Sequence, residues 1–122
     1  MNVLVVEDEA KVANFLKKGL QQSGYEIDLA ADGEEAYEKV RSNNYDIILL
    51  DLGLPDSQGI DTFNIMNYNA PDVPIIILTG LEDEIIAVSA VRRGAEDYLV
   101  KRQVDSQSLA RSIKNSLSAE LN

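Results

Sequence analysis

Three short runs of the chain, Val3-Leu-Val-Val6, Ile47-Ile-Leu-Leu50 and Ile75-Ile-Ile-Leu78, are apolar at every position. A strand with one face in water alternates apolar and polar residues, so unbroken runs suit strands buried on both faces. Two further runs, Ile27–Ala30 and Tyr98–Val100, bring the set to five. Amphipathic stretches lie between them. Val12, Phe15, Leu16, Gly19 and Leu20 fall on one helical face, and Leu109, Ile113 and Leu117 recur at four-residue steps. Asp32 with Glu35 reads as a capping pair opening a helix that uses Ala36 and Val40. Gly24, Gly33, Gly59 and Gly94 sit at or near the expected helix ends, and Pro71 with Pro74 breaks the chain before the fourth strand. The third helix has the least helical composition: Asn64, Asn67 and Asn69 are poor helix formers, and only Phe63, Ile65 and Met66 offer a core stripe.

Strict alternation of strand and helix implies a parallel sheet with helices on both faces, because right-handed crossovers place them there. Five units suit an α/β, (βα)5 flavodoxin-like three-layer sandwich with strand order 2-1-3-4-5. A chain of 122 residues is one domain's worth, and residues 1–122 are expected to form it alone. At 45% hydrophobic and 26% charged residues, the composition is that of a globular chain, not a disordered one. No apolar stretch approaches the about 20 residues needed to cross a bilayer. The start, Met1-Asn-Val-Leu-Val-Val-Glu-Asp8, lacks the charged n-region of a signal peptide. Without cysteine there is neither disulfide nor thiolate metal site, and a cytoplasmic location is expected.

The net charge of −10 argues against direct nucleic-acid binding, which needs clustered Lys and Arg to displace counterions. The absence of histidine removes Ser-His and Cys-His nucleophile pairs and imidazole zinc sites in one step. Any chemistry here must use carboxylate, hydroxyl, amine and backbone groups.

In an open parallel sheet, ligands bind beyond the carboxyl ends of the strands where the strand order reverses, here between strands one and three. Glu7-Asp8 and Asp51 lie just past those two ends, Thr79 ends strand four, and Lys101 follows strand five. Each residue alone is ordinary: acids cap helices, threonine favours strands, and lysine is usually a solvated charge. Together they converge on one edge. Three close carboxylates repel one another unless a cation sits among them, and with oxygen ligands alone that cation should be hard, with Mg²⁺ the default.

Four stretches carry a resemblance to the response-regulator receiver domains of bacterial two-component signalling. They are Val3-Leu-Val-Val-Glu-Asp-Glu9, Asp46-Ile-Ile-Leu-Leu-Asp-Leu-Gly-Leu-Pro-Asp-Ser-Gln-Gly59, Pro74-Ile-Ile-Ile-Leu-Thr-Gly80 and Arg93-Gly-Ala-Glu-Asp-Tyr-Leu-Val-Lys101. The resemblance runs from Met1 to about Leu117 and implies that Asp51 accepts a phosphoryl group. It implies that Asp8 ligates Mg²⁺ directly, with Glu7 nearby or acting through water, and that Gly53 offers its backbone carbonyl. Thr79 would hydrogen-bond the phosphoryl group, Lys101 would pair with it, and Tyr98 would be the aromatic switch. The implied partners are a sensor histidine kinase or histidine phosphotransfer protein, and the face of the fourth helix, fifth strand and fifth helix would carry the signal. That face would serve a fused output domain, a partner or a homodimer; Asp97 and Arg111 match positions that pair across some transcriptional dimers. The chain is thus expected to be a phosphoacceptor, not a turnover enzyme, and the rival reading is a phosphorylation-independent pseudo-receiver acting as an interaction module.

Two departures stand out. Arg102 follows Lys101 where most relatives carry a cis proline; a cis bond before a non-proline residue costs about 2.5–4 kcal/mol, so a trans bond is expected. Gly53 lacks the side chain many relatives place there, which implies altered access of water and small phosphodonors. No output domain is expected between the fifth helix and Asn122. A haloacid-dehalogenase-like phosphatase would want a second acid where Gly53 stands, and in an FMN carrier the phosphate would meet Glu7, Asp8 and Glu9.

Overall fold

The computed structural model describes residues 1–121. Five strands, β1 (Asn2–Val6), β2 (Glu26–Ala30), β3 (Ile47–Asp51), β4 (Ile75–Thr79) and β5 (Asp97–Val100), alternate with five helices. These are α1 (Ala10–Gln22), α2 (Gly33–Ser42), α3 (Ile60–Asn69), α4 (Glu84–Arg92) and α5 (Ser106–Leu121). The strands pair in parallel in the order β2-β1-β3-β4-β5, the flavodoxin-like order expected from the alternation.

Burial follows the apolar runs. Val3 to Val6 of β1 and all of β3 and β4 are buried, whereas the edge strands are partly exposed, β2 alternating along Glu26–Leu29 and β5 running from exposed Asp97 to buried Val100. Because side chains alternate across a strand, the central runs feed two cores. Leu4, Val6, Ile48 and Ile77 pack with Phe63 of α3 and Ala87 of α4; Val5, Leu49 and Ile76 pack with Leu16 of α1 and Ile113 of α5. Each such Val, Leu or Ile contributes about 1.5–3 kcal/mol relative to exposure in water.

Two side chains depart from the expected helix faces. Phe15 is 50% exposed, because the α1 stripe centres on Ala13, Leu16 and Leu20 and leaves Phe15 beyond its edge. Ile65 is 41% exposed, and α3 buries Thr62, Phe63 and Met66 instead. That helix forms despite its asparagines because Phe63 and Met66 anchor it in the core, while Asn69 Nδ2 donates to the Ile65 carbonyl in its last turn. The Asp32 carboxylate caps α2 as expected, accepting from Glu35 N at 2.8 Å. Asp105 and Ser108 cap α5 reciprocally, each side chain accepting from the other's backbone N–H.

Between β3 and α3 the chain makes a miniature antiparallel hairpin, Gly53–Leu54 against Ser57–Gln58, closed by Gly59 N donating to the Leu52 carbonyl at 2.8 Å. Among the described residues every peptide bond is trans, Lys101–Arg102 included. No described helix is long and apolar enough to cross a membrane.

Candidate functional site

Strand register assembles the site. Val6 lies opposite Leu50, and Asp51 opposite Leu78, so Glu7 and Asp51 leave adjacent strands side by side at the β1/β3 switch point. Thr79 ends β4 opposite Val100, and Lys101 N donates to the Thr79 carbonyl at 2.8 Å, bringing residues from β4 and β5 to the same edge.

Glu7 and Asp51 are buried, at 3% and 5% exposure, while Asp8 is open to solvent. One carboxylate oxygen from each of the three lies within 4.8 Å of the others. Lys101 Nζ stands 2.6 Å from Glu7 Oε1, 3.2 Å from Asp51 Oδ2 and 3.3 Å from Glu9 Oε1. The other Asp51 oxygen, Oδ1, accepts from Gly53 N at 3.1 Å, and Glu7 Oε2 accepts from Glu9 N at 3.2 Å. The cluster opens into a depression of about 430 Å³ walled in part by Gly53, Gly80 and Arg102.

Burial and neighbouring charge together set the electrostatics. Burial, reinforced by the charge of Asp51 and only partly offset by Lys101, pushes the Glu7 carboxyl up to about 8. Burial alone would lower the Lys101 ammonium, but Glu7 and Asp51 outweigh it and hold the group above its ordinary value. Three carboxylates, Glu7, Glu9 and Asp51, therefore share one ammonium at this corner, with Asp8 a fourth acid beside them. An all-oxygen donor set with one solvent-open member and excess negative charge fits a hard divalent cation that keeps part of its water shell.

Glu7, Asp8, Asp51 and Lys101 thus come together, with the Gly53 backbone beside them. Thr79 is buried on the same edge, its hydroxyl donating to the Gly80 carbonyl at 3.1 Å. Tyr98 lies elsewhere: its ring packs against the α3/α4 core, its hydroxyl reaches Glu84 Oε2 at 3.4 Å, and it borders a separate groove of about 420 Å³. Asp97 pairs within the chain, accepting from Ser112 Oγ at 2.9 Å. Two contributors went unassigned from the sequence. Glu9 joins the lysine pairing; its signal was the acidic triplet Glu7-Asp8-Glu9. Asp56 accepts from Gly33 N and Glu34 N at the start of α2, a partnership that only the Pro55-Asp56 turn hinted at.

A doubly wound parallel sheet carrying one carboxylate-rich pocket at its switch point, with an ammonium reaching in from the neighbouring strand, defines a class of small acidic-site α/β domains. Residues 3–114 match the response regulator receiver domain family, and the chain belongs to that family as a receiver domain of two-component response regulators. It is 39% identical over 111 residues to the transcriptional regulatory protein CusR of Escherichia coli strain K12, covering 91% of this chain and 49% of that protein. It is 40% identical over 99 residues to the response regulator ArlR of Staphylococcus saprophyticus, covering 81% of this chain and 44% of that protein. Its fold is similar to the crystal structure of a response regulator receiver domain protein from Clostridium thermocellum. The TM-score is 0.89 at 29% identity, covering 98% of this chain and 95% of that one. The chain spans about half the length of the curated relatives it matches.

Proposed function

We propose that this domain accepts a phosphoryl group on Asp51 from a sensor histidine kinase or histidine phosphotransfer protein, and passes the change to a fused output domain, a partner or a second copy. It acts as a phosphoacceptor and not as a turnover enzyme. One observation supports this above the others: Asp51 is buried, one of its oxygens is held by Gly53 N–H, and the other is 3.2 Å from an ammonium.

In the proposed reaction an Asp51 oxygen forms a bond to phosphorus as the phosphorus–nitrogen bond of a phosphohistidine breaks, and the imidazole leaves. Gly53 N–H orients the carboxylate, which favours in-line approach. Lys101 pairs with the equatorial phosphoryl oxygens after releasing part of its contact with Glu7 and Glu9. The Thr79 hydroxyl exchanges its neighbouring carbonyl for a phosphoryl oxygen. Mg²⁺, held by Asp8, Asp51 and the Gly53 carbonyl with Glu7 nearby or through water, would supply charge neutralisation at the transferring group. The added charge of about −1.5 to −2 then biases Thr79, Tyr98 and the face formed by α4, β5 and α5.

Intact mass after incubation with acetyl phosphate or beryllofluoride tests the reading, in Mg²⁺ and in EDTA. The expected result is a Mg²⁺-dependent adduct that Asp51→Asn abolishes. No adduct with a competent donor would favour the pseudo-receiver instead.

A further inference from the structure

Asp56 sits at the turn of the hairpin that follows β3, yet its carboxylate serves a different element. Oδ1 accepts from Gly33 N at 2.8 Å and Oδ2 from Glu34 N at 3.0 Å, both in the first turn of α2. The helix has its own cap, Asp32, which takes Glu35 N. The donors at the start of α2 are thus divided between two carboxylates, one local and one delivered by the loop beyond Asp51. The local cap alone would leave the Gly33 and Glu34 donors to water.

The sequence is shaped around this contact. A Cβ on Gly33 would meet Asp56 Oδ1 at 3.1 Å and the Tyr37 hydroxyl at 3.2 Å, so glycine keeps the gap in which the carboxylate docks. The two backbone donors hold the Asp56 carboxyl below the usual carboxylate range, as expected of an anion facing a helix N-terminus. The hairpin behind Asp56 is compact. Gly53 pairs with Gln58 and Leu54 with Ser57, Leu54 is buried, and Ser57 Oγ meets Thr62 Oγ1 at 2.8 Å. At its far end Gly53 N donates to Asp51 Oδ1.

Resting on the reading of Asp51 and Gly53 given above, we infer that Asp56 is a positioning residue. By fastening the hairpin tip to α2, it fixes the backbone of Gly53, and with it the carbonyl assigned to the metal and the N–H that orients Asp51. Asp56 touches neither the metal ligands nor the ammonium; it acts through the backbone it anchors.

The test is Mg²⁺ binding by titration calorimetry with no phosphodonor present, together with hydrogen exchange of the Gly53 amide. The chains compared are the natural protein, Asp56→Ala, Gly33→Ala and the double variant. Asp56→Ala is expected to weaken Mg²⁺ binding about tenfold, the lower end of what loss of an outer partner costs a metal site, and to speed exchange at Gly53. Gly33→Ala attacks the same contact from the helix side while giving α2 a better helix former, so it should move both readouts in the same direction. The double variant should bind no more weakly than Asp56→Ala, because both changes break one contact. Should Asp56→Ala fail to fold, Gly33→Ala carries the test. A lowered unfolding temperature with Mg²⁺ affinity and Gly53 exchange unchanged would reduce Asp56 to a helix cap and overturn the inference alone. Absence of Mg²⁺ binding by the natural chain would overturn the metal assignment and the inference with it.

Discussion

At the ends of β1 and β3, side chains and backbone are fastened from several directions. Glu7 and Asp51 are buried, each carboxylate accepts a backbone N–H, and the start of α2 is held by two carboxylates. At the ends of β4 and β5 the ties are fewer. The Thr79 hydroxyl donates to the next residue's carbonyl, and the Tyr98 hydroxyl bond stretches to 3.4 Å. Lys101 belongs to the second region by sequence and to the first by charge. The contrast teaches a division of labour. One half of the edge holds its charged groups by several backbone and ionic contacts, and the other presents a hydroxyl and a phenol with one hydrogen bond each.

Breaking the link between the halves should have the largest effect. Lys101→Ala leaves Glu7 and Asp51 buried without their ammonium, and in EDTA it is expected to cost about 3 kcal/mol in urea unfolding, the lower end for one partner of a buried pair. Unchanged stability would mean the two halves are not joined through this residue.

The fastened half should also reveal itself through pH in the metal-free chain. With Glu7 pushed from 4.5 up to about 8, the folded state binds that proton more tightly than the unfolded state does. Its contribution to stability is complete below about 4.5 and is lost as pH rises through about 8. The raised Lys101 ammonium titrates above this window and does not mask it. Subtracting the pH profile of Glu7→Gln from that of the natural chain should give a falling curve over this range; a flat difference would show that burial does not hold the Glu7 proton.

Mg²⁺ sharpens the comparison further. At about ten times its dissociation constant, the ion should stabilise the natural chain by about 1.4 kcal/mol, reversed by EDTA and diminished in Asp8→Asn. Equal stabilisation in Asp8→Asn would place the ion elsewhere. In the lightly held half, Tyr98→Phe should shift stability by less than about 0.5 kcal/mol in the same unfolding assay. A larger loss would show that the long bond to Glu84 holds more than its geometry suggests.

Much of this arrangement was legible in the sequence, for a physical reason. A strand buried on both faces is apolar along most of its length, so Ile47–Leu50 and Ile75–Leu78 announced the central sheet, and strand order then brought Glu7, Asp51, Thr79 and Lys101 to one edge. What escaped was information not carried by periodicity. Phe15 and Ile65 are apolar residues that lie outside their helix stripes, where composition alone cannot tell rim from core. The Glu9 contact with Lys101 depends on how an exposed side chain swings, and the reach of Asp56 to Gly33 spans 23 residues through a turn whose shape exists only once the fold has formed.

The exposed acids of the outer strands have a consequence for the molecule in bulk solution. An apolar sheet ending in two open edges is a template on which further copies could add, strand by strand. Glu26 and Asp28 stand exposed on β2, and Asp97 on β5, so each rim presents negative charge to the rim of an approaching molecule. Like charges on facing rims disfavour the addition of a sixth strand, and salt that screens them weakens this protection.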